Sequence, residues 1–202
     1  MEYQFLVDTY DTERIKTLSV WSMFTDEDIF IRPHPLDKKD RSPLEHMVHQ
    51  CAGEDKWFCN MFDIDVNAPP LPDKELRLEF IKRYAEDSGN RIEILRLKDK
   101  SWWEREVSFF DAKRSRAWIM LRRIAHTAHH RGEQTALLRM FGREVYSVYG
   151  PSADSGGLPQ NNAKTIYAYP NITALIEGET KGGQKARLPG TGNKPSTERP
   201  DL

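Results

Sequence analysis

His126 and His130 stand four residues apart in Arg122-Arg-Ile-Ala-His126-Thr-Ala-His129-His130-Arg131-Gly132-Glu133-Gln134. On a helix that spacing places them one above the other on the same face. Two stacked imidazoles can share one transition-metal ion if a third ligand arrives from elsewhere in the fold. Spacing alone is a weak motif, so the helical wheel has to support it. At about 100° per residue, Ile119, Met120, Ile124, Leu137, Leu138 and Phe141 gather on one side. With Trp118 at zero, His126 and His130 border that arc at roughly 80° and 120°, whereas His129 falls near 20° and faces outward. The pair in register faces inward, as buried ligands must.

The chain that carries this pair has 202 residues, enough for one domain and an extension. Its 30 basic and 31 acidic residues leave a net charge of -1, so no global field recruits nucleic acid or an anionic membrane. Lys113, Arg114, Arg116, Arg122, Arg123 and Arg131 point in different directions around their helix and form no basic face. The N-terminus lacks a basic segment and an apolar segment, so no secretory signal is visible. The longest apolar run, Ala117 to Leu121, is too short for a bilayer. The expectation is a soluble, cytoplasmic protein. Cys51 and Cys59, eight residues apart on one helix, are separated by about 12 Å along its axis, beyond disulfide reach. Both are expected to be reduced and buried.

Four helical segments must position the histidines. The first runs from about Glu2 to Met23, with Phe5, Leu6, Tyr10, Ile15, Leu18 and Trp21 at helical spacing. Pro33 and Pro35 interrupt the next stretch. Ser42-Pro43-Leu44-Glu45 then supplies an N-cap serine, a proline at the first helical position and a glutamate for a capping box, opening a helix to about Phe62. A third helix spans about Asp73 to Leu97. An aromatic connection through Trp102, Trp103, Val107, Phe109 and Phe110 leads to a fourth, from about Ala112 to Phe141, ended by Gly142. The expected fold is therefore all-α, a four-helix bundle over residues 1–150 with an irregular C-terminal extension over 151–202. From about Gly178 onward, Gly, Pro, Lys and Thr dominate, and the composition predicts disorder.

The third ligand is open between two candidates. His34 lies in the proline loop and is expected in solvent. His46 and His49 both sit off the centre of the apolar side of the second helix, and the wheel does not choose between them.

The segment Leu44-Glu-His-Met-Val-His49-Gln-Cys-Ala-Gly-Glu54-Asp-Lys-Trp57 resembles the first ligand helix of the DinB/YfiT-like metalloprotein superfamily, with its H-x4-E-x2-W pattern. His126-Thr-Ala-His129-His130-Arg131-Gly132, followed by Gln134, Leu138-Arg139, Gly142 and Tyr149-Gly150, is similar to that family's second ligand helix. The resemblance covers roughly Met1 to Gly150 and implies His49, His126 and His130 as the metal ligands. Glu133 departs from it, because the family commonly has Gln directly after the HRG. Three histidines without a thiolate favour a borderline divalent ion, zinc first, then nickel or iron. Three protein ligands leave a position open, as catalytic zinc sites do. The resemblance further implies a mononuclear metal-dependent enzyme of thiol S-transferase or hydrolase type, with a low-molecular-weight thiol as a candidate substrate and a homodimer as the expected assembly. The competing expectation is a non-catalytic bundle with a structural metal or none, acting through self-association or partner binding. Arg123 is read as an ion-pair partner or a substrate anchor, and Glu54 as a group that orients a ligand histidine or pairs at the surface. Trp57, Trp102 and Trp103 are read as core or as a pocket wall.

Overall fold

The computed structural model describes residues 2–37 and 39–198. Helices α1 (Gln4–Met23), α2 (Pro43–Phe62), α3 (Arg77–Arg96) and α5 (Arg116–Met140) form the expected four-helix bundle. A short helix, α4 (Lys100–Glu104), and a hairpin of β1 (Glu106–Phe109) and β2 (Ala112–Ser115) link α3 to α5. Helix α1 packs on α3 and α5, and α2 packs on the same two, so α1 and α2 occupy opposite corners.

The local signals explain where the helices begin. At α2, Ser42 Oγ accepts from the Glu45 amide at 3.3 Å, and Glu45 Oε2 accepts from the Ser42 amide at 2.8 Å. This capping box, with Pro43 in the first turn, fixes the entry of the chain three residues before His46. At α5, Ser115 Oγ accepts from the Trp118 amide. The segment 112–115, expected as the first turn of that helix, is instead a strand. It pairs antiparallel with β1, in a register of Glu106 with Ser115 and Phe109 with Ala112. The two-residue turn between them puts Phe110 at φ 52°. Pro69, Pro70 and Pro72 keep the chain extended, and α3 starts at Arg77 rather than near Asp73.

Two apolar clusters fill the interior. One contains Leu18, Trp21, Met47, Phe80, Tyr84 and Leu138, and the other Leu6, Tyr10, Phe58, Phe62, Ile92 and Ile119. Buried Glu13, Thr17, Gln50, Glu54, Arg91, Arg123, Thr127 and Arg131 come from the middle turns of the same helices. The candidate ligand histidines lie in the first two turns of α2 and the middle turns of α5.

One expectation is corrected. Cys51 is buried but Cys59 is exposed, because eight residues rotate a helix by about 80° and carry the second thiol out of the interior. Part of the stretch from Gly178, where composition predicts disorder, contacts the bundle through Glu179, Lys185, Ala186 and Leu188. Helix α6 (Ile172–Thr180) packs on α3 and α1, and Leu175 and Leu188 are buried. The Glu179 carboxylate gathers Arg77 and Lys185, each at 2.6 Å, and Tyr146 donates to the Ala186 carbonyl at 2.6 Å. A few anchored residues hold a segment whose average composition is polar.

Candidate metal centre

Helices α2 and α5 face each other with their sequences running in opposite directions: Glu54 meets Arg123, and His46 meets His130. His49, His126 and His130 come together between these contacts. Each offers one ring nitrogen, and the three nitrogens lie within 4.8 Å of one another. The ring centroids of His130 are 4.5 Å from His126 and 4.7 Å from His49. His126 Nε2 and His130 Nε2 are 3.3 Å apart. Two imidazoles bound to one tetrahedral ion, at a metal–nitrogen distance of about 2.0–2.1 Å, place their nitrogens roughly 3.3–3.4 Å apart. The residues fit such an ion.

The electrostatics also fit. Burial pushes His49 and His126 down to about 4, helped by the Arg41 charge at His49 and the Arg123 charge at His126. Burial lowers His130 as well, against the pull of Glu133. At neutral pH the three rings are therefore uncharged and carry lone pairs. Glu133 Oε2 lies 2.7 Å from His130 Nδ1. A carboxylate can only accept, so the proton sits on Nδ1, and the Nε2 lone pair is directed toward His126.

Aromatic groups wall the site on one side. Trp57 stacks on His126, with centroids 5.8 Å apart and planes at 25°. Phe109 of β1 meets the Trp57 ring edge-on at 5.4 Å, so the hairpin reaches the ligand helices. The Arg123 guanidinium lies 5.6 Å from the Trp57 centroid. Trp103, by contrast, belongs to the core.

The remaining residues singled out from sequence divide cleanly. His129 faces outward, and His34 is exposed beside Asp40. Arg123 is wholly buried with Nη2 3.1 Å from Glu54, an ion pair between helices rather than a substrate anchor. Glu54 neither touches a histidine nor reaches the surface. It is wholly buried and accepts from Tyr10, from Tyr84 at 3.0 Å and from Arg91 at 3.1 Å. His46 also arrives at the centre, with its ring 5.6 Å from His130 and Nδ1 3.7 Å from Glu133. Of the two α2 histidines between which the wheel could not choose, both come next to His130. Sequence reasoning missed Arg131, which donates to the Glu13 carbonyl and to Thr17 at 3.1 Å and pairs with the Glu13 carboxylate. Its wheel position, roughly 220°, lies inside the apolar arc and was the available signal.

The DinB family model matches residues 7–161. Among solved structures, a DinB-like protein from Bacillus cereus ATCC 10987 is similar with a TM-score of 0.60 and 20% identity, over 70% of this chain and 92% of that one. The DinB-like protein YjoA from Bacillus subtilis is similar with a TM-score of 0.56 and 15% identity, over 69% of this chain and 94% of that one. No curated protein matches the chain. Among the described residues no helix is long and apolar enough to cross a membrane. With a family model matched across all four bundle helices and the same fold in two DinB-like structures, this chain belongs to the DinB family.

Proposed function

We propose that the protein is a metal-dependent enzyme whose catalytic divalent ion, zinc by preference, is held by His49, His126 and His130, and whose reaction is thiol transfer or hydrolysis. The observation that carries this reading is the convergence of three uncharged imidazoles at metal-ligand spacing. An absence of thiolate favours zinc, nickel or iron over softer chemistry, and three protein ligands leave a position for water or a thiol. A bound divalent ion of this kind lowers the pKa of water or a thiol and so supplies a nucleophile at neutral pH.

The chain's own residues do the rest. Glu133 holds the His130 proton on Nδ1 and keeps Nε2 a donor to the ion. Trp57 and Phe109 fix the His126 ring and exclude water from that flank. The buried Glu54–Arg123 pair sets the register of α2 against α5.

Elemental analysis of protein purified without chelator, combined with a screen of low-molecular-weight thiols against electrophiles and of hydrolysable esters and amides, tests the reading. Stoichiometric metal and a turnover that chelation abolishes are expected. A His126→Ala/His130→Ala double variant that keeps its metal would overturn the assignment.

A further inference from the structure

His130 faces two ligand sets. Through Nε2 it meets His126, and through Nδ1 it meets Glu133 at 2.7 Å. His46 Nδ1 lies 3.7 Å from the same Glu133 oxygen. The ligand atoms of His46, His130 and Glu133 lie within 4.8 Å of one another, on the side of His130 away from His126. His46 is 4% exposed, and its Nδ1 is buried without a hydrogen-bond partner, a donor atom that needs an occupant. His46 and Glu133 open into a cavity of about 300 Å³ that is also lined by Asp40, Lys39 and Arg41. The cavity has room for the waters that complete a coordination sphere.

We propose that His46, His130 and Glu133 form a second divalent-cation site, joined to the first through the His130 ring as a bridging imidazolate. The proposal rests on the three-histidine site described above and adds a second ion to it. On binding, the Nδ1–H bond of His130 breaks, its proton leaves to solvent, and the freed lone pair forms a bond to the incoming cation. Glu133 exchanges its hydrogen bond to Nδ1 for a bond to that cation. The negative charges of the imidazolate and of Glu133 offset the two like-charged ions. Lys39 and Arg41 oppose a cation in the same cavity, and Asp40, itself engaged by His34, counters them in part. The second site is accordingly the weaker one, filled after the first.

The full chain, stripped of metal and then dialysed against increasing Zn²⁺, tests this by elemental analysis. Wild type is expected to reach two equivalents in two steps, and Glu133→Gln and His46→Gln to stop at one. Glu133 is 42% exposed, so its isosteric Gln variant folds even if the change at buried His46 does not. Loading with Cu²⁺ is expected to give an electron paramagnetic resonance intensity well below that of two isolated ions, as a coupled, imidazolate-bridged pair requires. A single equivalent in wild type would overturn the second site alone, whereas no bound metal would overturn the first site with it. Two equivalents retained in a His46→Gln/Glu133→Gln double variant, or two uncoupled Cu²⁺ ions, would also overturn the proposal.

Discussion

Glu54 and Arg123 meet at 3.1 Å in the middle of the bundle, both wholly shielded from solvent, five residues after His49 and three before His126. Glu54 also takes Arg91 and the Tyr10 and Tyr84 hydroxyls, so one carboxylate ties all four bundle helices together. Removing it leaves the buried Arg123 guanidinium without its carboxylate and takes from Arg91 one of two, Asp55 remaining. Breaking a buried ion pair in this way costs about 3–5 kcal/mol. Glu54→Ala is therefore expected to lower Tm on the order of 10 °C in thermal denaturation followed by circular dichroism. A change within a degree or two would contradict the assigned role.

Acid should expose the same network. Burial opposes ionisation of Glu54, but the Arg123 and Arg91 charges and the Tyr10 and Tyr84 hydrogen bonds more than reverse it and hold the carboxyl below its usual range. Glu13 is held low likewise, against burial, by Arg131 and by the Tyr149 and Lys16 hydrogen bonds. A carboxylate whose pKa is lower folded than unfolded contributes stability above the unfolded value and loses it as pH falls through the folded one. Urea midpoints should therefore fall steeply once pH drops below about 4.3, the unfolded glutamate value. Glu54→Gln should flatten that slope. Midpoints that hold or rise toward pH 3 would show that these carboxylates are not ion-paired.

Much of this architecture was legible in the sequence, and the part that was not has a physical reason. Ser42-Pro43-Leu44-Glu45 announced α2 because capping is a local interaction, complete within four residues. Segment 112–115 read as helix because a four-residue strand carries little periodicity of its own and depends on its partner at 106–109. Arg123 read as an ion-pair partner or substrate anchor, but which carboxylate it and Arg131 would meet was not legible, since Glu54 and Glu13 lie 69 and 118 residues away in the chain. The His126/His130 pair was legible because helical spacing alone sets it. His46 and His49 stayed undecided because both approach His130, which no single-helix wheel can show.

Glu133 is expected to act on the metal through His130. Losing the partner that orients a ligand histidine typically weakens metal binding 10- to 100-fold. Glu133→Ala should lie in that range in competition with a chromophoric chelator. Glu133→Gln, whose amide oxygen can still accept from Nδ1, should retain most of the affinity of the first ion. Equal losses in the two variants would argue for a role other than accepting that hydrogen bond.

The docked extension makes its own prediction. Leu188 is buried against the bundle core, and full burial of a leucine contributes roughly 1.5–3 kcal/mol. Leu188→Ala, or a chain ending at Thr180, should lower the urea midpoint measurably without altering metal content. An unchanged midpoint would mean that the extension does not hold to the bundle in solution.

Whether three imidazoles bind one ion is read from X-ray absorption at the zinc edge of protein carrying a single equivalent. Three imidazole nitrogens at about 2.0–2.1 Å with one further light-atom ligand are expected, with one imidazole lost in His49→Ala. A sulfur ligand in the protein alone, or an unchanged spectrum in His49→Ala, would contradict a three-imidazole site.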